Sequence, residues 1–208
     1  MICKEIYIVG IGNNSIVTIE LAELNGYQIK GLLHYKKDLV GQKRWGYPII
    51  SETDAFLSQD INDMNFALSM GRNSVRKELF NKIQSRGGNT PILVHPNASV
   101  SKVCKLYAGV QIHANATIQP EVIIQQNTII SYGVGITHNV KIDSHCYIAA
   151  HSIIGAYTDI EENVTIGMGV TTVSEKVRNI GENAIIGAGS LVLNPVPSNT
   201  TVYGSPAR

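Results

Sequence analysis

Aliphatic residues recur at every sixth position through residues 94–170. The first register starts at Val94 and ends at Ile166, and all of its members are Val, Leu or Ile. A second register of small residues lies four positions later, from Ala98 to Val170. A period of six fits neither an amphipathic helix nor an alternating strand, and it is typical of a parallel β-helix built from hexapeptides. We therefore expect three hexads to close one triangular coil of eighteen residues, with aliphatic side chains inside and small ones at the corners.

The rhythm is interrupted once. It slips by two residues within positions 172–179 and resumes at Ile180. An insertion in an otherwise regular solenoid predicts a loop that leaves the coil, and such a loop is a candidate binding lip as well as a tolerated insertion.

Residues 1–90 lack the six-residue period and alternate apolar runs with amphipathic stretches. Predicted strands are Lys4–Gly10, Tyr27–Leu33, Tyr47–Ile50 and Asn65–Met70, and predicted helices run from Asn14 or Ser15 to about Asn25 and from a capping Asn73 to Arg86. Alternation of strands and helices indicates a small parallel sheet of the Rossmann-like type. The expected boundary lies near Pro91, so that residues 1–90 form this α/β domain and residues 91–208 form the β-helix.

Composition narrows the function classes. The chain has 208 residues, of which 44% are hydrophobic and 16% charged, and its net charge is +1. Without a Lys/Arg cluster, neither a nucleic acid nor an anionic membrane is an expected partner. No apolar run is long enough to span a bilayer and the start lacks the pattern of a secretory signal, so we expect a cytoplasmic protein. The three cysteines have no metal-binding spacing, and Cys104 and Cys146 belong to the small inward register.

Two glycine turns follow predicted strands and should share the carboxyl edge of the sheet, where α/β domains bind ligands. Glycine lets the backbone approach a phosphate, and a helix N-terminus favours the anion. The candidate substrate-binding residues in these turns are Gly10, Gly12, Asn13, Asn14, Gly71, Arg72 and Asn73. The first turn, GIGNNS, lacks the third glycine of a dinucleotide fingerprint, so an ordinary structural turn remains an alternative. Arg72 and Arg76 favour an anionic ligand.

Four segments carry a family resemblance: YIVGIGNNS, FALSMGRNSVRKELFNKI, ITHNVKI and VYGSPAR. With them the whole chain resembles the bacterial sugar O- and N-acyltransferases of the NeuD and PglD type. The resemblance implies a left-handed β-helix, a homotrimer with active sites between subunits, acetyl-CoA in the groove between adjacent β-helices, and a nucleotide-linked sugar on the N-terminal domain. It places the catalytic histidine at His138. Two positions depart from the family pattern: His34-Tyr35 replace an acidic pair that contacts the nucleotide, and Asn139 replaces an acidic orienter.

The period of eighteen places Ala156 one coil after His138. Imidazole is a suitable base near neutral pH, and a backbone N–H one strand spacing away can hold an oxyanion. The catalytic candidates are therefore His138, Asn139 and Ala156, with a solvated corner histidine as the alternative interpretation of His138. His113, His145 and His151 lie at corners on different edges and do not converge, so no metal site is expected.

The candidate contacts to acetyl-CoA combine accessible backbone with positive charge. They are Tyr147, Gly167, Met168, Gly187, Ala188, Lys176 and Arg208, with Arg178 in the same inserted loop as Lys176. Ordinary hexapeptide glycines and a trimer-interface tyrosine are the alternatives for the uncharged members.

We accordingly expect an acetyl-CoA-dependent N-acetyltransferase that acts on a nucleotide-linked amino sugar, such as a 4-amino-4,6-dideoxyhexose, in bacterial lipopolysaccharide, O-antigen or other surface glycan biosynthesis. Asn139 in place of a carboxylate favours an amine over a hydroxyl acceptor. O-acetylation of a sugar such as sialic acid is the near alternative. More distant alternatives are serine or tetrahydrodipicolinate acyltransferases and a γ-carbonic-anhydrase-like protein.

Overall fold

The computed structural model describes residues 4–208, and the chain divides into two compact units. The first ends at Leu93 and the second comprises Val94–Arg208. Within the described residues, no helix combines the length and apolar character that a bilayer-crossing segment needs.

The first unit is a five-stranded sheet with helices. Its elements are β1 Lys4–Val9, α1 Ser15–Leu24, β2 Tyr27–His34, a 3-10 helix Lys37–Leu39, β3 Lys43–Arg44, β4 Tyr47–Glu52, α2 Thr53–Leu57, β5 Phe66–Leu68 and α3 Asn73–Gln84. The strand order is β3-β4-β2-β1-β5, and all neighbours are parallel except the short edge pair β3-β4. The carboxyl ends of β1, β2 and β5 therefore lie side by side at one edge.

Two apolar clusters hold this sheet. Ile6, Ile8 and Leu32 belong to one, and Val9, Leu33 and Phe66 belong to the other, all at most 1% exposed. Alternate residues of β1 thus face opposite clusters, as expected for a strand with helices on both sides.

Some local structure in this unit differs from the prediction. The polar segment 36–46 contains the 3-10 helix and β3, and α2 was not predicted. Asn73 was expected to cap α3, but it is the first helical residue and its Oδ1 accepts a hydrogen bond from Arg76 Nη2 at 2.9 Å. Arg72 occupies the cap position without a side-chain cap bond.

The second unit is a three-sided parallel β-helix of two-residue strands. In chain order these are β6 Leu93–Val94, β7 Ser99–Val100, β8 Lys105–Leu106, β9 Gln111–Ile112, β10 Thr117–Ile118, β11 Ile123–Ile124, β12 Ile129–Ile130, β13 Gly135–Ile136, β14 Lys141–Ile142, β15 Tyr147–Ile148, β16 Ile153–Ile154, β17 Asp159–Ile160, β18 Thr165–Ile166, β19 Thr171–Thr172, β20 Asn179–Ile180, β21 Ile185–Ile186, β22 Leu191–Val192 and β23 Thr201–Val202. Every third strand pairs in parallel, which gives sheets of six, five and seven strands.

The aliphatic register fills the prism, as the period predicted. Ile118 pairs with Ile136 and Ile124 with Ile142, each eighteen positions on, and all four are at most 2% exposed. The pairing interval widens to twenty where Ile160 meets Ile180, because the loop between β19 and β20 contains two extra residues. Val177 within that loop is fully buried, so the insertion is anchored to the core at one point.

Candidate functional site

His138 lies at a corner of the β-helix, two residues after strand β13. Its side chain is exposed, and its backbone N–H donates to Gln119 Oε1 at 3.1 Å. Asn139 follows with a φ of 57°, a left-handed conformation that Asn tolerates better than most residues. The exposed side chain shows that the imidazole points outward from this corner.

Asn139 contacts the imidazole directly. Its Oδ1 lies 2.9 Å from His138 Nδ1, and its Nδ2 donates to Glu121 Oε2 at 2.6 Å. Glu121 was not among the candidate residues predicted from the sequence. The spacing of eighteen between Glu121 and Asn139 is the signal that could have identified it.

Tyr157 contacts the other side of His138. The two rings meet edge to face, with centroids 5.3 Å apart, and the Arg178 guanidinium lies 5.6 Å from the centre of the Tyr157 ring. The inserted loop is thus connected to His138 through one aromatic ring. Arg178 is among the residues predicted from the sequence, and Tyr157 is not.

A groove of about 660 Å³ opens beside this corner. Its lining mixes both charges with aliphatic and aromatic surface and comprises Val103, Lys105, Glu121, Ile123, Asn139, Lys141, Tyr157, Asp159 and Arg178. Three cations against two carboxylates make the groove weakly positive. A groove of this size and polarity can receive part of an anionic ligand next to the imidazole.

The backbone amide expected to hold an oxyanion already has a partner. Ala156 is one coil beyond His138 as predicted, and its N–H donates to Ser174 Oγ at 3.0 Å. Ser174 belongs to the inserted loop and is exposed. The Ala156 amide can therefore reach a substrate only when the Ser174 hydroxyl turns away.

The uncharged candidates for CoA contact lie at a different corner of the same chain. Gly167 follows β18 and Gly187 follows β21 in the seven-stranded sheet, whereas His138 follows β13 in the six-stranded one. A Cβ at Gly167 would lie 2.6 Å from Ala188 N, and one at Gly187 would lie 2.7 Å from Tyr203 Cβ. Stacking between coils thus requires both glycines, whether or not a ligand binds there.

The other candidates for CoA contact are mostly accessible. Met168, Ala188, Lys176 and Arg208 are exposed, and Tyr147 is half-buried on the outer face of the seven-stranded sheet. Within residues 4–208 of one chain, Tyr147 and Gly167 do not share the corner of His138.

In the first unit, the turn after β1 contains two glycines with different roles. Gly10 has a φ of 100°, and a Cβ there would lie 2.6 Å from Ser69 Oγ, which itself bonds Val9 O at 2.8 Å and Ser15 Oγ at 2.7 Å. Gly10 is therefore explained by packing. A Cβ at Gly12 would meet nothing within 4 Å, and Gly12, Asn13 and Asn14 are exposed, so this part of the turn can admit a ligand.

His34 and Tyr35 lie at the end of β2, next to the turn after β1. Leu33 O accepts a hydrogen bond from Gly10 N at 2.8 Å, which joins the two strand ends. Tyr35 is 71% exposed and its ring lies 4.3 Å from the His34 ring. Burial, followed by the charge of Lys36, lowers the pKa of His34 below its usual value, while Asp38 acts in the opposite direction. A mainly neutral ring beside an exposed phenol suits a nucleotide base better than a phosphate.

The turn after β5 contains one exposed and one buried arginine. Arg72 is exposed, as is Gly71, and both lie at the start of α3. Arg76 is fully buried, and its Nη1 donates to Met70 O at 3.1 Å. The expectation that Arg76 supports an anionic ligand is therefore wrong, because its guanidinium is used to hold the β5–α3 turn. Arg72 remains the candidate cation.

The remaining corner histidines occupy separate environments. His145 is 3% exposed, with Nδ1 2.7 Å from Asn127 Nδ2 and Nε2 3.9 Å from Glu162 Oε1. His151 packs edge-on against Tyr132, with 4.9 Å between ring centroids. Burial, with His95 nearby, lowers the pKa of His113 to about 4. Among residues 4–208, no group of three or more His, Cys, Asp or Glu side chains is arranged to hold a metal ion.

Comparison with known proteins identifies the N-terminal segment. Residues 5–83 match the family model of the PglD N-terminal domain. The acetyltransferase domain of PglB from Neisseria gonorrhoeae has a TM-score of 0.90 at 23% identity, covering 99% of this chain and 98% of that domain. PerB from Caulobacter crescentus, solved in complex with CoA and GDP-perosamine, has a TM-score of 0.88 at 23% identity, covering 98% of this chain and 96% of PerB.

Short matches to curated proteins fall on a smaller segment. A galactoside O-acetyltransferase of Lactococcus lactis is 53% identical over 47 residues, which are 23% of this chain and 22% of that enzyme. At such coverage the whole activity of that enzyme does not transfer. The structural matches show the fold, and they confirm the predicted order of a Rossmann-like domain followed by a left-handed β-helix. The PglD domain match confirms the resemblance to the NeuD/PglD type over residues 5–83.

Proposed function

We propose that this chain, in which a PglD N-terminal domain precedes a left-handed β-helix, is an acetyl-CoA-dependent N-acetyltransferase acting on a nucleotide-linked amino sugar. A 4-amino-4,6-dideoxyhexose is the preferred sugar class. The observation that carries the proposal is the His138 corner, where an exposed imidazole is hydrogen-bonded through Nδ1 to Asn139 Oδ1 at 2.9 Å and borders an open, charged groove.

The reaction uses His138 as a general base. The sugar amine attacks the thioester carbonyl carbon of acetyl-CoA, and Nε2 accepts the proton that the nitrogen loses. The tetrahedral intermediate then collapses, the C–S bond breaks, and the CoA thiolate leaves and takes up the proton from the His138 imidazolium, which restores the base. Ala156 N–H is the proposed oxyanion donor, which requires Ser174 Oγ to release it.

A homotrimer with CoA between subunits is part of the proposal. The CoA candidates Gly167, Met168, Gly187 and Ala188 lie at a corner different from that of His138, so a neighbouring β-helix is needed to join them. Tyr147, on the outer face of the seven-stranded sheet, would then line the subunit interface and contact the acyl donor. Lys176, Arg178 and Arg208 supply positive charge for the CoA phosphates.

The nucleotide is proposed to bind at the carboxyl edge of the first sheet. Gly12, Asn13 and Asn14 offer accessible backbone and side-chain amides, and His34-Tyr35 offer an aromatic surface. At the start of α3, Arg72 supplies a positive charge, and Gly71 and Asn73 flank it. PerB is described in complex with GDP-perosamine and CoA, and the PglB acetyltransferase domain with acetyl coenzyme A, which supports the same two substrates here. A cytoplasmic role in O-antigen, lipopolysaccharide or other surface glycan synthesis follows from such a substrate.

O-acetylation of a sugar is the second candidate, and the 47-residue match to a galactoside O-acetyltransferase favours it. A hydroxyl is a poorer nucleophile than a neutral amine and depends more strongly on the base. The neutral Asn139 beside the base therefore favours the amine. The match to the PglD domain is a separate reason for the same choice.

Calorimetric titration with UDP-, dTDP-, GDP- and CMP-linked 4-amino sugars tests the nucleotide site. One nucleotide should bind at least about tenfold more tightly than the others, on the scale of one or two hydrogen bonds to the base. If none binds, the assignment of the first unit is wrong.

A further inference from the structure

We propose that Glu121 is a positioning residue for His138 that acts through Asn139. The inference deepens the proposed function, since it concerns the same base. Asn139 stands where the resemblance leads one to expect an acidic residue after the histidine. The structure provides a carboxylate from the preceding coil instead, and joins it to the imidazole through one amide.

The contact is built by the coil geometry. Glu121 and Asn139 are eighteen residues apart at the same corner, and both adopt left-handed backbone conformations, with φ of 61° and 57°. Asn139 N donates to Pro120 O at 3.2 Å, which fixes the two turns one above the other. The side chains then bond at 2.6 Å from Asn139 Nδ2 to Glu121 Oε2.

The polarity of these bonds dictates where the histidine proton lies. An ionised carboxylate only accepts hydrogen bonds, so the amide nitrogen of Asn139 must face Glu121. The amide oxygen consequently faces His138 Nδ1, 2.9 Å away. A carbonyl oxygen also only accepts, so Nδ1 must carry the proton. Nε2 is left with its lone pair, which is the form that a general base requires.

Without Glu121, Asn139 can rotate its amide by 180° and offer N–H to the imidazole. That arrangement places the proton on Nε2. The lone pair is then on Nδ1, where it accepts a hydrogen bond from Asn139 and cannot reach the substrate. The base would be present but in the wrong tautomer. The Glu121 carboxylate therefore sets the tautomer of His138 through the Asn139 amide, although it does not touch the imidazole.

A purely structural role predicts different consequences. Glu121 is exposed, and an exposed hydrogen bond of this kind contributes little to the free energy of unfolding. Glu121→Ala should therefore melt within about 2 °C of the wild type, on the scale of a surface substitution. A change in tautomer or turnover in a fully folded variant would then report positioning.

The direct readout is ¹⁵N NMR of histidine-labelled protein, with His138→Gln used to assign the His138 signals. In the wild type at a pH where the ring is neutral, we expect a protonated Nδ1 and an unprotonated Nε2. Glu121→Ala should move both signals toward the averaged values of exchanging tautomers. The control is Glu182→Gln, an exposed carboxylate at another corner, which should leave both signals in place. Unchanged His138 signals in Glu121→Ala would overturn the proposal.

Kinetics supply a second test, in which the carboxylate and the amide are exchanged between positions 121 and 139. Glu121→Ala should lower kcat about tenfold, the scale of one charge-assisted hydrogen bond, and this loss should exceed any change in KM that follows from removing a charge from the groove. Asn139→Asp places two carboxylates face to face and should also lose turnover. The double variant Glu121→Gln/Asn139→Asp restores one donor and one carboxylate and should recover activity above that of Asn139→Asp. A double variant no better than Asn139→Asp would contradict the proposal.

The two tests separate this inference from the proposed function. If the wild type transfers no acetyl group to any amino sugar, the proposed function fails, yet the NMR measurement still decides whether Glu121 sets the tautomer.

Discussion

Tyr157 meets His138 edge to face, with 5.3 Å between the ring centroids and 86° between the ring planes. Arg178, from the inserted loop, lies against the same tyrosine. The loop that interrupts the hexapeptide rhythm is thereby coupled to the candidate base. Tyr157 covers one side of the imidazole, and Asn139 contacts its Nδ1 atom. Nε2 is therefore the ring nitrogen that can reach the sugar amine.

Replacing Tyr157 should loosen the base without unfolding the coil. Tyr157→Leu removes the edge contact, and we expect kcat to fall about three- to tenfold, the scale of one aromatic pair, with unchanged melting temperature. Tyr157→Phe keeps the ring and serves as the matched control, which should remain within twofold of the wild type. Equal losses in both variants would show that the hydroxyl, rather than the ring contact, is what matters.

His138→Gln should lower kcat by about a hundredfold or more, the usual contribution of a positioned general base. KM for acetyl-CoA and for the nucleotide sugar should change little, because His138 contributes to proton transfer rather than to ground-state binding. His95→Gln, in the first coil of the β-helix, is the control. Full turnover in His138→Gln would remove the base assignment.

The Ser174 hydroxyl tests the role of the Ala156 amide. Ser174→Ala frees the Ala156 N–H from its 3.0 Å bond, so we expect kcat equal to or above that of the wild type. Ser198→Ala, whose hydroxyl contacts Glu161 elsewhere, is the control. A tenfold loss of kcat in Ser174→Ala alone would contradict the assignment of Ala156 as the oxyanion donor.

Arg72→Ala should separate the two substrate sites. Loss of one exposed charge at the start of α3 is expected to weaken nucleotide-sugar binding about tenfold, while the affinity for CoA stays the same. Arg86→Ala removes a cation near the other end of the helix and should affect neither ligand. Equal weakening of both ligands by Arg72→Ala would argue against separate sites.

His113 should make stability sensitive to mild acid. Burial lowers its pKa from 6.5 to about 4 in the folded chain, so the unfolded chain binds the proton more readily between these values. The contribution of neutral His113 is fully present above pH 6.5 and is lost as the pH falls toward 4. His113→Gln should flatten the fall in the denaturation midpoint over this window. An unchanged pH dependence would contradict the burial of a neutral ring.

Period alone predicted much of the β-helix, because inward and outward positions follow directly from the six-residue register. It also placed Ala156 above His138. It did not predict that Ser174 occupies the Ala156 amide, since counting eighteen residues places Ser174 at the same corner but does not say where its hydroxyl points. Glu121 and Asn139 share a corner by simple counting, but their contact depends on two left-handed φ angles that bring the side chains together.

Glycines were the least informative site residues. Gly10, Gly167 and Gly187 are predicted ligand contacts, and each also has a neighbour that a Cβ would strike, so packing alone is enough to require glycine there. Gly12, by contrast, has open space around it, and a Cβ at Gly71 would meet only Asn14 Nδ2, at 3.8 Å. Arg76 shows the same limitation for charge, because burial against Met70 O and Asn73 Oδ1 could not be distinguished from a binding role by its position in the sequence.

The most direct test of the central claim is the product formed from acetyl-CoA and a nucleotide-linked 4-amino-4,6-dideoxyhexose, identified by mass spectrometry and NMR beside the matching 4-hydroxy sugar. The account predicts that the amino sugar gains one acetyl group on nitrogen, with one CoA thiol released per product and loss of turnover in His138→Gln. Acetylation of the hydroxy sugar instead, or of neither sugar, would contradict it.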